Sequence, residues 1–128
     1  MAKVQARGFT RIYRAFFYSM KGFKAGFINE AAVRQEFVLA LILTPCAFFV
    51  ASSISSLLWL IVMPWLTLAF ELMNSAIEAV VDRIGLERHE LSGRAKDLGS
   101  ACVFVLLILT LLVWGIAIAE CLGWSFGK

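Results

Sequence analysis

Two long stretches of the chain carry no charged side chain, one from Phe37 to Phe70 and the other from Leu98 to Ala119. A helix rises 1.5 Å per residue, so crossing a hydrocarbon core of about 30 Å takes about 20 residues. The second stretch suffices for one crossing. The first is too long for one and is broken at Ser52, Ser53, Ser55 and Ser56, a cluster suited to a tight polar turn. The pattern therefore predicts a hairpin of helices over about 31–51 and 57–83, and a third helix over about 95–122. Ahead of them Phe9, Ile12, Tyr13, Phe16, Phe17, Met20, Phe23 and Phe27 recur at steps of three and four, with Arg11, Arg14, Lys21 and Lys24 mainly between them. This is the spacing of an amphipathic helix, over about 9–28, lying in a membrane interface with its rings in the acyl boundary and its cations toward phosphate. The expected class is all-α: a surface helix and three transmembrane helices, forming a helical bundle in an oligomer.

Composition agrees and narrows the function. Of 128 residues 61% are hydrophobic and 16% charged, and the mean hydropathy is +0.84, which excludes an ordinary soluble domain. One membrane-embedded domain, 1–128, accounts for the length, so any chemistry must take place on the membrane part itself. The N-terminal segment opens with Lys3, Arg7, Arg11 and Arg14 and does not read as a secretory signal.

Basic residues set the expected orientation. Lys3, Arg7, Arg11, Arg14, Lys21, Lys24 and Arg34 lie before or at the start of the first transmembrane helix, and Arg83, Arg88, Arg94 and Lys96 lie between the second and third, while the serine turn has none. By the positive-inside rule the N-terminus and the second loop are cytoplasmic, and the C-terminus, with Glu120 and Lys128, is outside. Cys46, Cys102 and Cys121 are scattered in or near apolar runs and read as packing residues, without a disulfide or metal framework.

The most informative stretch lies at the end of the second transmembrane helix. At 100° per residue Glu71, Asn74, Glu78 and Asp82 share one stripe. Counted from Leu57, Glu71 lies about 21 Å from the outer edge, in the inner third of the hydrocarbon, whereas Glu78 reaches the boundary. A charged side chain near mid-membrane costs about 2.5–3.5 kcal/mol even on the lenient insertion scale and is normally kept for a functional reason. A polar stripe gluing helices through Asn74 and Ser75 is the bland alternative. Three carboxylates in register favour a different reading, because their repulsion is relieved by a cation. Oxygen ligands at a wet boundary suit magnesium, which binds through one or two carboxylates plus phosphates. Glu71 is then a candidate general base.

Flanking segments supply further polar groups. Glu30 and Arg34 are spaced for a helical ion pair, which leaves Asn29 and Glu36 unexplained. In the second loop, Ser92 is placed to cap the third helix, and Arg94 and Lys96 to snorkel to lipid phosphate. His89 is the single histidine, which excludes a multi-histidine zinc site. No Gly-rich phosphate loop or dinucleotide fingerprint occurs, and no nucleic-acid partner is expected.

The run from Glu71 to Asp82 resembles the signature of the prokaryotic diacylglycerol kinase family: glutamate, two residues, Asn-Ser-Ala, one residue, glutamate, three residues, aspartate. Gly8-Phe9-Thr10-Arg11, Ile28-Asn29-Glu30-Ala31-Ala32, Arg34-Gln35-Glu36 and His89 to Asp97 resemble that family in the same order. The resemblance implies a small homotrimeric kinase of the bacterial inner membrane, which transfers the γ-phosphate of magnesium ATP to the free hydroxyl of diacylglycerol. It implies Glu71 as general base and Glu30 and Glu78 as ligands of Mg2+. ATP would be bound by Arg11, Tyr18, Glu30, Glu78, Glu87, His89, Lys96 and Asp97, with Asn74, Arg34, Glu36 and Ser100 in supporting roles. Pro45 and Pro64 belong to none of these motifs.

Two other functions compete with this one. Undecaprenol is an alternative acceptor within the wider family, although the N-terminal blocks lean toward diacylglycerol. A proton or cation conduit would need ionisable groups through the full bilayer depth, and Leu57 to Phe70 has none.

Overall fold

The computed structural model describes residues 7–126; Lys3 and Lys128, used above for orientation, lie outside them. The described residues form four helices: α1 (Phe9–Asn29), α2 (Ala31–Val50), α3 (Ile54–Ile84) and α4 (Glu90–Cys121). No strand occurs among them, and α2, α3 and α4 are each long and apolar enough to cross a membrane. Short connections make α2, α3 and α4 successive antiparallel neighbours. The central helix is α3, which packs along both α2 and α4, while those two barely touch.

The helix boundaries depart from the expected ones at the polar turns. The first turn is shorter than the serine cluster suggested, because Ser53 caps α3: its hydroxyl oxygen accepts from the Ser56 N–H at 3.1 Å, and Ser55 and Ser56 become helical. The second loop is likewise cut short. The cap of α4 is His89, whose Nδ1 accepts from the Leu91 N–H at 3.1 Å, and the expected cap Ser92 lies inside the helix. At 31 and 32 residues, α3 and α4 reach about 46–48 Å, well beyond the hydrocarbon core. Their charged ends therefore project past it.

In the half of the bundle near the serine turn, several buried polar groups find partners on a neighbouring helix. Ala47, Leu60, Trp114 and Ala117 form the buried core there. Pro64 has no N–H to give the Leu60 carbonyl one turn back, and the Trp114 indole of α4 donates to that carbonyl instead, at 3.1 Å. The buried hydroxyl oxygens of Thr67 and Thr110 lie 3.1 Å apart, so one donates across the α3–α4 interface. Trp65 donates to the Thr44 hydroxyl at 2.9 Å, tying α2 to α3 beside Pro45. The three cysteines are free and exposed on outer helix faces, so the packing role expected of them is not filled within one chain. The apolar residues of α1 are all exposed as well, the state of an amphipathic helix whose greasy face is covered by something other than its own chain.

Candidate functional site

Burial falls along the α3 stripe. Glu71 and Asn74 are each 8% exposed, Glu78 is half-buried and Asp82 is exposed. The cause is the projection of α3 past the packed part of the bundle, which leaves the last two turns progressively wetter.

The elbow between α1 and α2 meets this stripe. Glu30 is its single extended residue (φ −118°, ψ 115°); its N–H donates to the Gly26 carbonyl and its carboxylate makes no capping bond. The expected Glu30–Arg34 ion pair does not form among the described residues. Arg34 instead turns back on α1, donating from Nη1 to the carbonyls of Phe27 at 2.9 Å and Ile28 at 3.0 Å, two of the orphan acceptors every helix end presents. Asn29 folds back along α1, donating from Nδ2 to the Ala25 carbonyl one turn earlier at 2.9 Å. Gly26 lets α1 close on the bundle, because a Cβ there would stand 2.8 Å from Leu72 Cδ2. So fixed, Glu30 and Glu78 both act electrostatically on Glu71, and Glu71 acts on Glu36.

Glu30, Glu36 and Glu78, from three elements, thus lie within electrostatic range of Glu71, and among the described residues none of the four is in an ion pair. The ion pairs among the described residues are Arg94–Glu90 at 2.8 Å and Lys96–Asp82 at 2.6 Å. The one side-chain donor to the four is Asn74, whose Nδ2 donates to Glu78 Oε1 at 3.2 Å. Asn74 Oδ1 is buried with no partner. No three Asp, Glu, His or Cys side chains among the described residues stand close enough for a cage made of protein alone. An excess of unpaired oxygen donors without a closed cage fits magnesium, which keeps waters and shares phosphate oxygens, better than a metal needing four protein ligands.

Beyond the stripe, an open groove of about 680 Å³ lies between the end of α3 and the start of α4, lined among others by Asp82, Glu87, His89, Ser92 and Lys96. Lys96 is held over it by Asp82. His89 uses Nδ1 as an acceptor for its cap, so the neutral ring carries its proton on Nε2, which has no partner among the described residues.

The expected site residues therefore fall into two adjoining sets, Glu30, Glu36, Glu71, Asn74 and Glu78 in one, and Glu87, His89 and Lys96 in the other. Arg34 serves the first by fixing the elbow. Asp97 and Ser100 are exposed on α4 and do not line the groove. Arg11 and Tyr18 stand on exposed turns of α1, a helix that makes no contact with α4, and the Tyr18 ring lies under the Lys21 ammonium at 5.9 Å. Sequence reasoning missed Gly26 and Gly99, the latter buried against Asn74; the available signal was a glycine kept inside a helix where alanine is the better helix former. It also missed the Asp82–Lys96 pair.

A protein-family profile described as prokaryotic diacylglycerol kinase matches residues 17–118. The chain belongs to the prokaryotic diacylglycerol kinase family. It is 50% identical over 108 residues to a diacylglycerol kinase of Haemophilus influenzae, covering 84% of this chain and 92% of the relative. To a diacylglycerol kinase of Escherichia coli K12 it is 50% identical over 107 residues, covering 84% and 88%. A third relative, a diacylglycerol kinase of Pseudomonas aeruginosa, is 48% identical over 107 residues, covering 84% and 87%. The carboxylate cluster and the groove both lie inside the matched family region, whereas Arg11 lies before it.

Proposed function

We propose that this protein transfers the γ-phosphoryl group of ATP to the free hydroxyl of diacylglycerol, at the cytoplasmic face of a bacterial inner membrane, giving phosphatidic acid. The observation that carries the reading is the gradient along α3, from Glu71, a buried residue that accepts no hydrogen bond among the described residues, to the exposed Asp82, which lines an open groove together with Lys96 of α4. A lipid hydroxyl arrives from the bilayer and a nucleotide from water, and one helix presents groups to both.

In this reading the triphosphate lies along the groove. Lys96 turns from Asp82 to a phosphate oxygen, and the His89 Nε2–H and Glu87 contact the nucleotide. Glu30 and Glu78 would hold Mg2+, which when bound would supply charge neutralisation on the phosphates. The lipid hydroxyl enters beside Glu71, which accepts its proton as the hydroxyl oxygen attacks the γ-phosphorus. The bond from that phosphorus to the bridging oxygen breaks, ADP departs, and the proton leaves Glu71 for water. Such transfer is largely positioning and charge neutralisation, so it needs no dedicated nucleotide fold.

A homotrimer is part of the same proposal, and what one chain leaves undone supports a site shared between subunits. Arg11 and Tyr18 are remote from the groove of their own chain, and Tyr18 stands about 18 Å from Glu30 along the helix axis, so their nucleotide contacts belong to a neighbouring subunit. Asp97 and Ser100 serve the shared site from the exposed side of α4.

The decisive experiment offers diacylglycerol and undecaprenol side by side to the purified protein in mixed micelles with labelled ATP. Phosphatidic acid is the expected product, and preferential labelling of undecaprenol overturns the acceptor assignment. For sharing, inactive Glu71→Gln and inactive Asp97→Asn chains are mixed. Recovered activity is expected, and no recovery after verified subunit exchange places each site within one chain.

A further inference from the structure

Gly99 lies on the buried face of α4, opposite the α3 stripe, and has no part in the chemistry proposed above. A Cβ built on it would overlap Asn74 Oδ1, with Asn74 Cγ at 3.3 Å and Ile77 Cδ1 at 3.7 Å. The Asn74 amide thus occupies the space that any other residue at position 99 would fill. It is 8% exposed, and its orientation is fixed at one end only, where Nδ2 donates to Glu78 Oε1 at 3.2 Å. At the other end Oδ1 has no donor. An amide held by a single hydrogen bond owes its remaining positional definition to packing, and here the packing surface is the bare backbone of α4 at Gly99.

The helix does not favour this arrangement by itself. Glycine is a poorer helix former than alanine, and φ at Gly99 is ordinary for a helix, so no backbone strain calls for it. Gly115, on the same helix, has open space around the missing Cβ. The two glycines therefore differ in kind: one could carry a methyl group without contact and the other could not.

We infer that Gly99 is a positioning residue of the transfer site: its missing side chain seats the Asn74 amide against α4, and the seated amide holds the Glu78 carboxylate in place beside Glu71. Displacing the amide breaks or rotates the bond to Glu78, and the carboxylate is freed to swing toward water. The inference rests on the reading of Glu78 as a ligand of the magnesium nucleotide, and it concerns the geometry of that ligand alone.

The test is a double-mutant cycle on the full-length protein in mixed micelles, with initial rates measured across magnesium concentrations. Gly99→Ala should raise the magnesium concentration for half-maximal rate and lower kcat/KM for ATP by about tenfold or more, with thermal stability unchanged or increased. In an Asn74→Ala background the amide is gone, so adding Gly99→Ala should cost less than about twofold further. A Gly99→Ala enzyme within about twofold of the parent in rate and magnesium requirement overturns the inference, and so does full additivity in the double variant. Gly115→Ala, which meets open space, is the control for helix propensity. Should Gly99→Ala fail to assemble, the Asn74–Glu78 pair decides: Asn74→Ala is expected to raise the magnesium requirement as Glu78→Gln does, and the two together no further. Additive losses there overturn the positioning role. The underlying reading fails separately, if Glu78→Gln itself leaves the magnesium dependence unchanged.

Discussion

The two halves of the bundle handle buried polar groups in opposite ways. Toward the serine turn, the carbonyl freed by Pro64 is taken by Trp114, Thr67 meets Thr110, and Trp65 meets Thr44. Toward the other end, Glu71 is buried without a donor, Asn74 Oδ1 has no partner, and four carboxylates share one unpaired region. Unmade hydrogen bonds and unneutralised charge are expensive in an apolar setting. In the function proposed above, the partners missing from this half come from outside the chain, as nucleotide, cation and lipid hydroxyl.

Substitutions in the two halves should separate accordingly. The largest effect is expected at Glu71. Glu71→Gln should lower turnover by at least about a hundredfold while leaving magnesium ATP binding close to that of the parent, since general-base contributions are typically 10²- to 10⁴-fold. Near-normal turnover at saturating substrates would make the carboxylate a packing group and dissolve the contrast. Next comes Glu78→Gln, where magnesium dependence and nucleotide affinity should weaken together, because the metal links them; isothermal titration with a non-hydrolysable ATP analogue reads both. Lys96→Met should raise the KM for ATP about tenfold or more with a smaller change in kcat. An unchanged KM would mean that its ion pair with Asp82 is its whole role.

The smallest effects belong to the matched half and should appear in stability rather than rate. Trp114→Phe keeps most of the ring but leaves the Leu60 carbonyl without a donor, at a cost of about 1–2 kcal/mol. Thr110→Val should cost less, about 0.5–1 kcal/mol, because Thr67 can still donate to the Met63 carbonyl. Unfolding in detergent mixtures measures both, and a turnover loss without a stability loss would contradict the division.

The fold was legible because its dominant signal is long-range: uncharged runs of membrane length. What the pattern missed were the ends of helices, which depend on single hydrogen bonds. Ser92 and His89 both lie near the start of α4, and only geometry shows that the imidazole, not the hydroxyl, reaches a free N–H. The stripe from Glu71 to Asp82 was likewise visible, since helical periodicity alone puts those residues on one face. Its surroundings were not. A four-residue spacing suggested that Arg34 pairs with Glu30, but the bend at Glu30 breaks the helix the spacing assumes and offers Arg34 two bare carbonyls instead. Gly26 and Gly99 act through the absence of an atom, and such an absence is meaningful only when the opposing side chain is known.

The bond from Trp114 to the Leu60 carbonyl also bears on how the protein is made. The ribosome completes α3 before α4, and until α4 docks, the carbonyl released by Pro64 lacks the donor that the finished bundle supplies, a deficit of about 1–2 kcal/mol. The nascent α2–α3 hairpin is thus an incomplete object, less stable by that missing bond until its last helix arrives. Biogenesis and architecture meet at one indole, and a chain truncated after α3 should be recognised and degraded rather than accumulate in the membrane.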